Sequence, residues 1–384
     1  MSATERIPLA RPVLGEREEE LVLEVLRSGM LSLGPKLAEF EGLFAERIGV
    51  DDAVAVSSGT TALHLAVREL GWAAGDEVVT TPLSFVASSN SLLYEDVRPV
   101  FCDVDSETLT LDPALAATAV REATAGVLAV HIFGYPAAIA ELESLAQQRG
   151  LSVLEDCAQA LGTIDAEGRV AGSRGNPATF AFYANKQLTT GEGGMLVPGS
   201  EAAAAVARSE RNQGRAPEMK VMAHERIGFN YRLTDVAAAL GIAQLERLDS
   251  MLAARAALAA GYEERLSALG AADPGVGDPD DLVLPLADRG AARRSWFVYI
   301  VRLPTDVDRD AVIAALDGDG IDARPYLPCI HLFEPYRERF GHREGDFPVA
   351  EGFSRRALAL PFYPGMPEEF LERVVGSLRV ALRR

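Results

Sequence analysis

The chain has 384 residues, 48% of them hydrophobic, and a formal net charge of −19 at pH 7. That length exceeds one small core and predicts a large domain with a smaller one beside it. The acid excess argues against nucleic acid as the main partner, because a phosphate backbone wants a basic face.

No apolar run approaches the roughly 20 residues that cross a bilayer, and no charged-then-apolar leader opens the chain. Cys102, Cys157 and Cys329 stand far apart, without a disulfide framework or a metal spacing, and read as small buried hydrophobes. The five histidines show no metal-ligand spacing either, so no metal is expected. Together these features predict a soluble protein of the reducing cytoplasm.

In chain order, Val54 to Val56 is a short apolar run, followed by Ser57-Ser58-Gly59-Thr60-Thr61. A helical pattern comes next, with Leu63, Ala66, Val67 and Leu70 on one face and Gly71 as its stop. Further strand-like runs are Glu77 to Thr80, Pro99 to Val104, Val127 to Ile132, Leu151 to Leu154, Thr179 to Phe182 and Met195 to Val197. Helical stretches such as Pro136 to Arg149 separate several of them, which predicts a mostly parallel sheet covered by helices. Thr234 reads as an N-cap, with Asp235 in the first turn where a negative charge suits the helix dipole. An Ala/Leu-rich helical region runs from there to about Leu269. The Gly/Pro/Asp-rich loop Gly270 to Asp281 reads as a lobe boundary. Ser295 to Leu303 then alternates like a strand, and Arg309 to Leu316 reads as a helix.

The most informative residue is Lys186, in Ala-Asn-Lys-Gln-Leu-Thr-Thr-Gly-Glu-Gly-Gly. A lysine between an apolar strand and a Gly-rich turn is well placed to become a desolvated, nucleophilic amine. Asp156 lies at the end of an earlier apolar run. A lysine that forms a Schiff base and an acid that pairs with a ring nitrogen are the two protein parts that pyridoxal phosphate (PLP) chemistry requires. Taken alone, Asp156 reads first as a turn or cap aspartate at a strand end.

Gly59, Thr60 and Thr61 offer a phosphate site at a helix start, or an ordinary N-cap. Phe85 reads as a ring-stacking aromatic or a core residue, and Gln159 as a ring contact or a solvent-facing glutamine. Asn230, two residues before Arg232, suits an anion or a capping loop. The loop Arg324 to His331 brings an aromatic, a cation and an imidazole to a polar ligand, or is structural.

Five segments in register resemble the DegT/StrS family of PLP-dependent nucleotide-sugar aminotransferases. They are Ser-Gly-Thr-Thr-Ala-Leu (58–63), Glu-Asp-Cys-Ala-Gln-Ala (155–160), Asn-Lys-Gln-Leu-Thr-Thr-Gly-Glu-Gly-Gly (185–194), Gly-Phe-Asn-Tyr-Arg-Leu-Thr-Asp (228–235) and Leu-Pro-Phe-Tyr-Pro-Gly-Met (360–366). The resemblance implies Lys186 as the Schiff-base lysine and Asp156 as the pyridinium partner, with Phe85 and Gln159 on the two ring faces. It also implies a phosphate loop at Gly59, Thr60 and Thr61, and Asn230 reaching the phosphate from a neighbouring subunit. Tyr326 and His331 fall in the loop expected near the sugar.

Two departures stand out. Ala181 occupies a position where relatives usually carry a serine that bonds the phosphate. Leu161 stands where a histidine is frequent. Relatives that act as dehydratases replace the lysine with histidine, which the presence of Lys186 disfavours.

The resemblance implies an α/β protein of PLP-dependent transferase fold type I. Residues 1–269 would form the large domain and 270–384 a small α+β domain. It further implies a homodimer with shared active sites that moves the amino group of L-glutamate to a nucleotide-linked keto sugar by a ping-pong cycle. A 4-keto-6-deoxyhexose nucleotide is the favoured acceptor. The alternatives are another fold-type-I PLP enzyme or a protein that binds PLP or a sugar nucleotide without turnover.

Overall fold

The computed structural model describes residues 5–216, 223–275 and 280–383. Its larger sheet holds β1 (Val54–Val56), β2 (Glu77–Thr80), β3 (Arg98–Phe101), β4 (Thr124–Val130), β5 (Ser152–Asp156), β6 (Ala178–Ala181) and β7 (Gly194–Val197). The spatial order is β1-β7-β6-β5-β4-β2-β3. The run from β3 to β6 is parallel, and β7 is antiparallel to both β6 and β1. Val127 and Leu128 of β4 are both fully buried, yet they pack into separate clusters on opposite faces of the sheet. Burial on two faces is why these strands read as continuous apolar runs.

The seven predicted runs all fall on strands, with shifted ends. Pro99 to Val104 pairs only as far as Phe101, because Val104 turns to bridge Leu111. Val127 to Ile132 begins earlier, at Thr124, and gives way to a short 3-10 helix over Ile132–Gly134. The helix after β1 spans Gly59–Glu69 and the one before β5 spans Ile139–Arg149. Thr234 is an N-cap, its hydroxyl accepting the Ala237 N–H at 3.1 Å. The Ala/Leu-rich region is two helices, Asp235–Glu246 and Leu248–Ser267, broken at Arg247.

Asp235 does more than complement its own helix. Its buried carboxylate crosses to the helix Pro35–Ile48, whose N-cap is Gly34 and which has no side-chain cap of its own. Oδ2 accepts from Gly34 N–H at 2.6 Å, and Oδ1 from Lys36 and Leu37 N–H at 2.9 and 3.2 Å. One carboxylate thus satisfies three amides that the helix geometry leaves unpaired.

The smaller antiparallel sheet is β8 (Tyr299–Arg302), β9 (Arg324–Pro325) and β10 (Ala357–Leu360), in the order β8-β10-β9. The predicted strand Ser295 to Leu303 shortens to β8, and the predicted helix at Arg309 runs to Gly318. Ile7 bridges Ile321 and packs with Val301 and Leu358 of this layer, as does Tyr262 from the long helix. Of the loop 270–281, expected as a lobe boundary, residues 276–279 lie outside the described residues. Among the described residues no helix is long and apolar enough to cross a membrane.

Replacing Asp235 with alanine strands three amides and is expected to cost roughly 2–4 kcal/mol of unfolding free energy, measured by urea denaturation. Asp235→Asn keeps one acceptor oxygen and should lose less. An alanine variant as stable as the parent would show that water replaces the cap.

Candidate active site

The C-terminal ends of β5 and β6 and the start of the helix Gly59–Glu69 border one cavity of about 480 Å³. That volume suits a small organic ligand. Gly59, Thr60, Phe85, Asp156, Gln159, Lys186 and Tyr326 line it; Thr61, Asn230 and His331 do not.

Lys186 sits in a turn just past β6, where its N–H donates to the Tyr183 carbonyl at 2.9 Å. Its Nζ lies 4.1 Å from the centroid of the Phe297 ring. The residue keeps some exposure at the cavity, yet enough protein surrounds the amine that burial pushes its pKa down to about 8, with Asp156 pulling the other way. At pH 7 about one such amine in ten is neutral.

Asp156 ends β5 and is 5% exposed. Its Oδ2 accepts from Ser88 Oγ at 2.7 Å and its Oδ1 from Ala158 N–H at 3.0 Å. These bonds fix the carboxylate at the cavity wall that it shares with Lys186. Phe85 is 58% exposed, so the core reading of this phenylalanine does not hold; its ring lines the cavity. Gln159 is buried, and its Oε1 accepts the Phe133 N–H at 2.8 Å, while its amide NH₂ has no acceptor among the described residues.

The cap of the helix Gly59–Glu69 is reciprocal. Ser58 Oγ accepts the Thr61 N–H at 3.1 Å, and Thr61 Oγ1 accepts the Ser58 N–H at 3.0 Å. The Thr61 hydroxyl is therefore committed to the cap rather than the cavity. The Gly59 and Thr60 amides have no acceptor among the described residues, and they carry the positive end of the helix dipole. Close approach explains the glycine: a Cβ on Gly59 would lie 2.6 Å from the Ala181 Cβ. Ala181, the residue that replaces the expected serine, thus packs its methyl group directly against this cradle.

Asn230 is exposed and bridges Asn212, away from the cavity. His331 is fully buried, its Nε2 lies 3.1 Å from Glu351 Oε1, and the Phe347 ring stands 4.7 Å from its own. A buried imidazole needs a polar partner, and Glu351 supplies it. Leu161 is a core residue.

Sequence reading missed Ser88, Asn185, Glu192 and Phe297, all of which line the cavity. Asn185 and Glu192 lay inside the quoted lysine motif. Ser88 and Phe297 arrive through tertiary packing and carry no local signal.

The architecture is that of the PLP-dependent transferases of fold type I. Residues 12–379 match the model of the DegT/DnrJ/EryC1/StrS aminotransferase family, and the chain belongs to that family. It is 37% identical to the GDP-perosamine synthase of Caulobacter vibrioides, over 98% of this chain and 99% of that protein. It is 36% identical to the spore coat polysaccharide biosynthesis protein SpsC of Bacillus subtilis, over 97% and 96%. The solved structure of S. venezuelae DesV in complex with a ketimine intermediate matches with a TM-score of 0.89 at 33% identity, covering 99% of this chain and 100% of that one. The expected enzyme class, an aminotransferase of this family, holds.

In protein stripped of any cofactor, an amine-directed reagent should label Lys186 with a midpoint near pH 8. Asp156→Asn removes the attraction that keeps the amine charged, so the midpoint should fall further. A midpoint above 10 would contradict a desolvated amine.

Proposed function

We propose that this enzyme is a PLP-dependent aminotransferase that moves the amino group of L-glutamate to a nucleotide-linked keto sugar, with an NDP-4-keto-6-deoxyhexose as the acceptor. The observation that carries the reading is Lys186 and Asp156 on the wall of one cavity, beside an exposed aromatic and a helix start with free amides. That donor set fits a phosphorylated pyridine ring. The names of two relatives, a GDP-perosamine synthase and a spore coat polysaccharide biosynthesis protein, support the sugar class.

When bound, the cofactor supplies an electron sink for the bonds at the amine-bearing carbon. In this reading Lys186 would hold the cofactor's aldehyde carbon, and its amine would take and return the donor's α-proton. An amine with a pKa near 8 is suited to both directions of that transfer at neutral pH. Asp156 holds the ring nitrogen and its proton. Phe85 would stack on the ring, and Gln159 would offer it an amide donor. The Gly59 and Thr60 amides bind the phosphate, and Thr61 closes the cap that aims them. Asn230 reaches the phosphate site of a second copy in a cytoplasmic homodimer. Tyr326 meets the sugar, and His331 acts only through the loop it anchors.

Lys186→Ala should lower kcat by roughly 10³-fold or more in an assay of glutamate with a nucleotide keto sugar. Full activity in that variant rules the mechanism out. Ala181→Ser returns a hydroxyl to the cradle and is expected to tighten PLP binding by about tenfold, measured by fluorescence titration. Unchanged or weaker binding would mean that the methyl group's packing against Gly59 matters more than the added donor.

A further inference from the structure

Arg255 projects from the helix Leu248–Ser267 and is 4% exposed. A guanidinium this deep is ordinarily matched by an acid, because desolvating a lone charge is costly. Among the described residues Arg255 has no carboxylate partner. Its Nη1 donates to the Phe297 carbonyl at 3.1 Å and, at longer range, to that of Trp296 at 3.5 Å. Its Nη2 reaches the Lys186 carbonyl at 3.4 Å, and its Nε is buried without an acceptor. Burial pushes its ionisation down to about 10 with no acid in opposition. The two ends of this fork are the residue that carries the amine and the residue whose ring lies 4.1 Å from that amine.

We propose that Arg255 is a positioning residue for Lys186: its guanidinium ties the turn that carries the lysine to the chain that carries Phe297, and so keeps the amine desolvated against that ring. The inference rests on Lys186 being the reactive amine. A planar fork can serve two carbonyls at once, which a lone ammonium cannot. Without the clamp the amine gains water. Hydration favours its charged form, while Asp156, the charged group facing the amine, stays in place.

The test uses the PLP-loaded enzyme. Arg255→Met keeps most of the volume and removes the donors. It is expected to lower kcat about tenfold to a hundredfold, to leave KM for glutamate and for the sugar nucleotide nearly unchanged, and to move the pH midpoint of the bound cofactor's absorbance upward. Arg255→Lys should fall between Arg255→Met and the parent on both readouts, and it decides alone if Arg255→Met does not fold. A lower Tm with kcat per folded enzyme and the absorbance midpoint both unchanged makes Arg255 a purely structural residue and overturns the proposal. Lys186→Ala, run alongside, separates the two failures. An active Lys186→Ala overturns the functional reading itself, whereas an inactive one beside a fully active Arg255→Met overturns only the clamp.

Discussion

The desolvation of the Lys186 amine in front of Asp156 is the constraint on which the rest of the site depends. An ammonium loses hydration when it is enclosed, and a pKa drawn down to about 8 is the measure of that loss. The chain tolerates it because the two residues are fixed by different parts of one rigid frame. Asp156 is the last residue of β5, held there by the Ser88 hydroxyl and the Ala158 amide. Lys186 is carried by the turn that leaves the neighbouring strand β6. Parallel pairing brings both to the same edge of the sheet, the edge at which open α/β sheets bind ligands.

The second constraint is closeness. The helix Gly59–Glu69 can bring its free amides to that edge only because Gly59 and Gly194 carry no side chain. A Cβ on Gly194 would lie 2.4 Å from the Ser58 carbonyl carbon, much as one on Gly59 would collide with Ala181. Sheet edge, helix start and lysine turn therefore constrain one another. A side chain added at either glycine would force the helix start away from the strands it packs against.

Much of this was legible in the sequence, for identifiable reasons. Buried parallel strands leave runs such as Leu151 to Leu154 that no surface element mimics. Lys186, Asp156 and Gly59 each sit where such a run ends, so their place at one sheet edge followed from local pattern alone. What the sequence hid is what depends on the third dimension. Asp235 read as a first-turn charge that suits its own helix, yet its carboxylate also caps Pro35–Ile48. Thr61 read as a phosphate donor, yet its hydroxyl closes the cap. His331 read as a ligand contact, yet Glu351 holds it in the core. Ser88, Phe297 and Arg255 reach the lysine and aspartate from distant segments, and nothing in their immediate neighbours announces it.

The central claim is that one amine, that of Lys186, carries the cofactor opposite Asp156. Borohydride reduction of the PLP-loaded protein, followed by proteolysis and mass mapping, tests it most directly. The account requires the pyridoxyl label on the peptide that contains Lys186 and on no other. A label on a different lysine, or none at all, would contradict it.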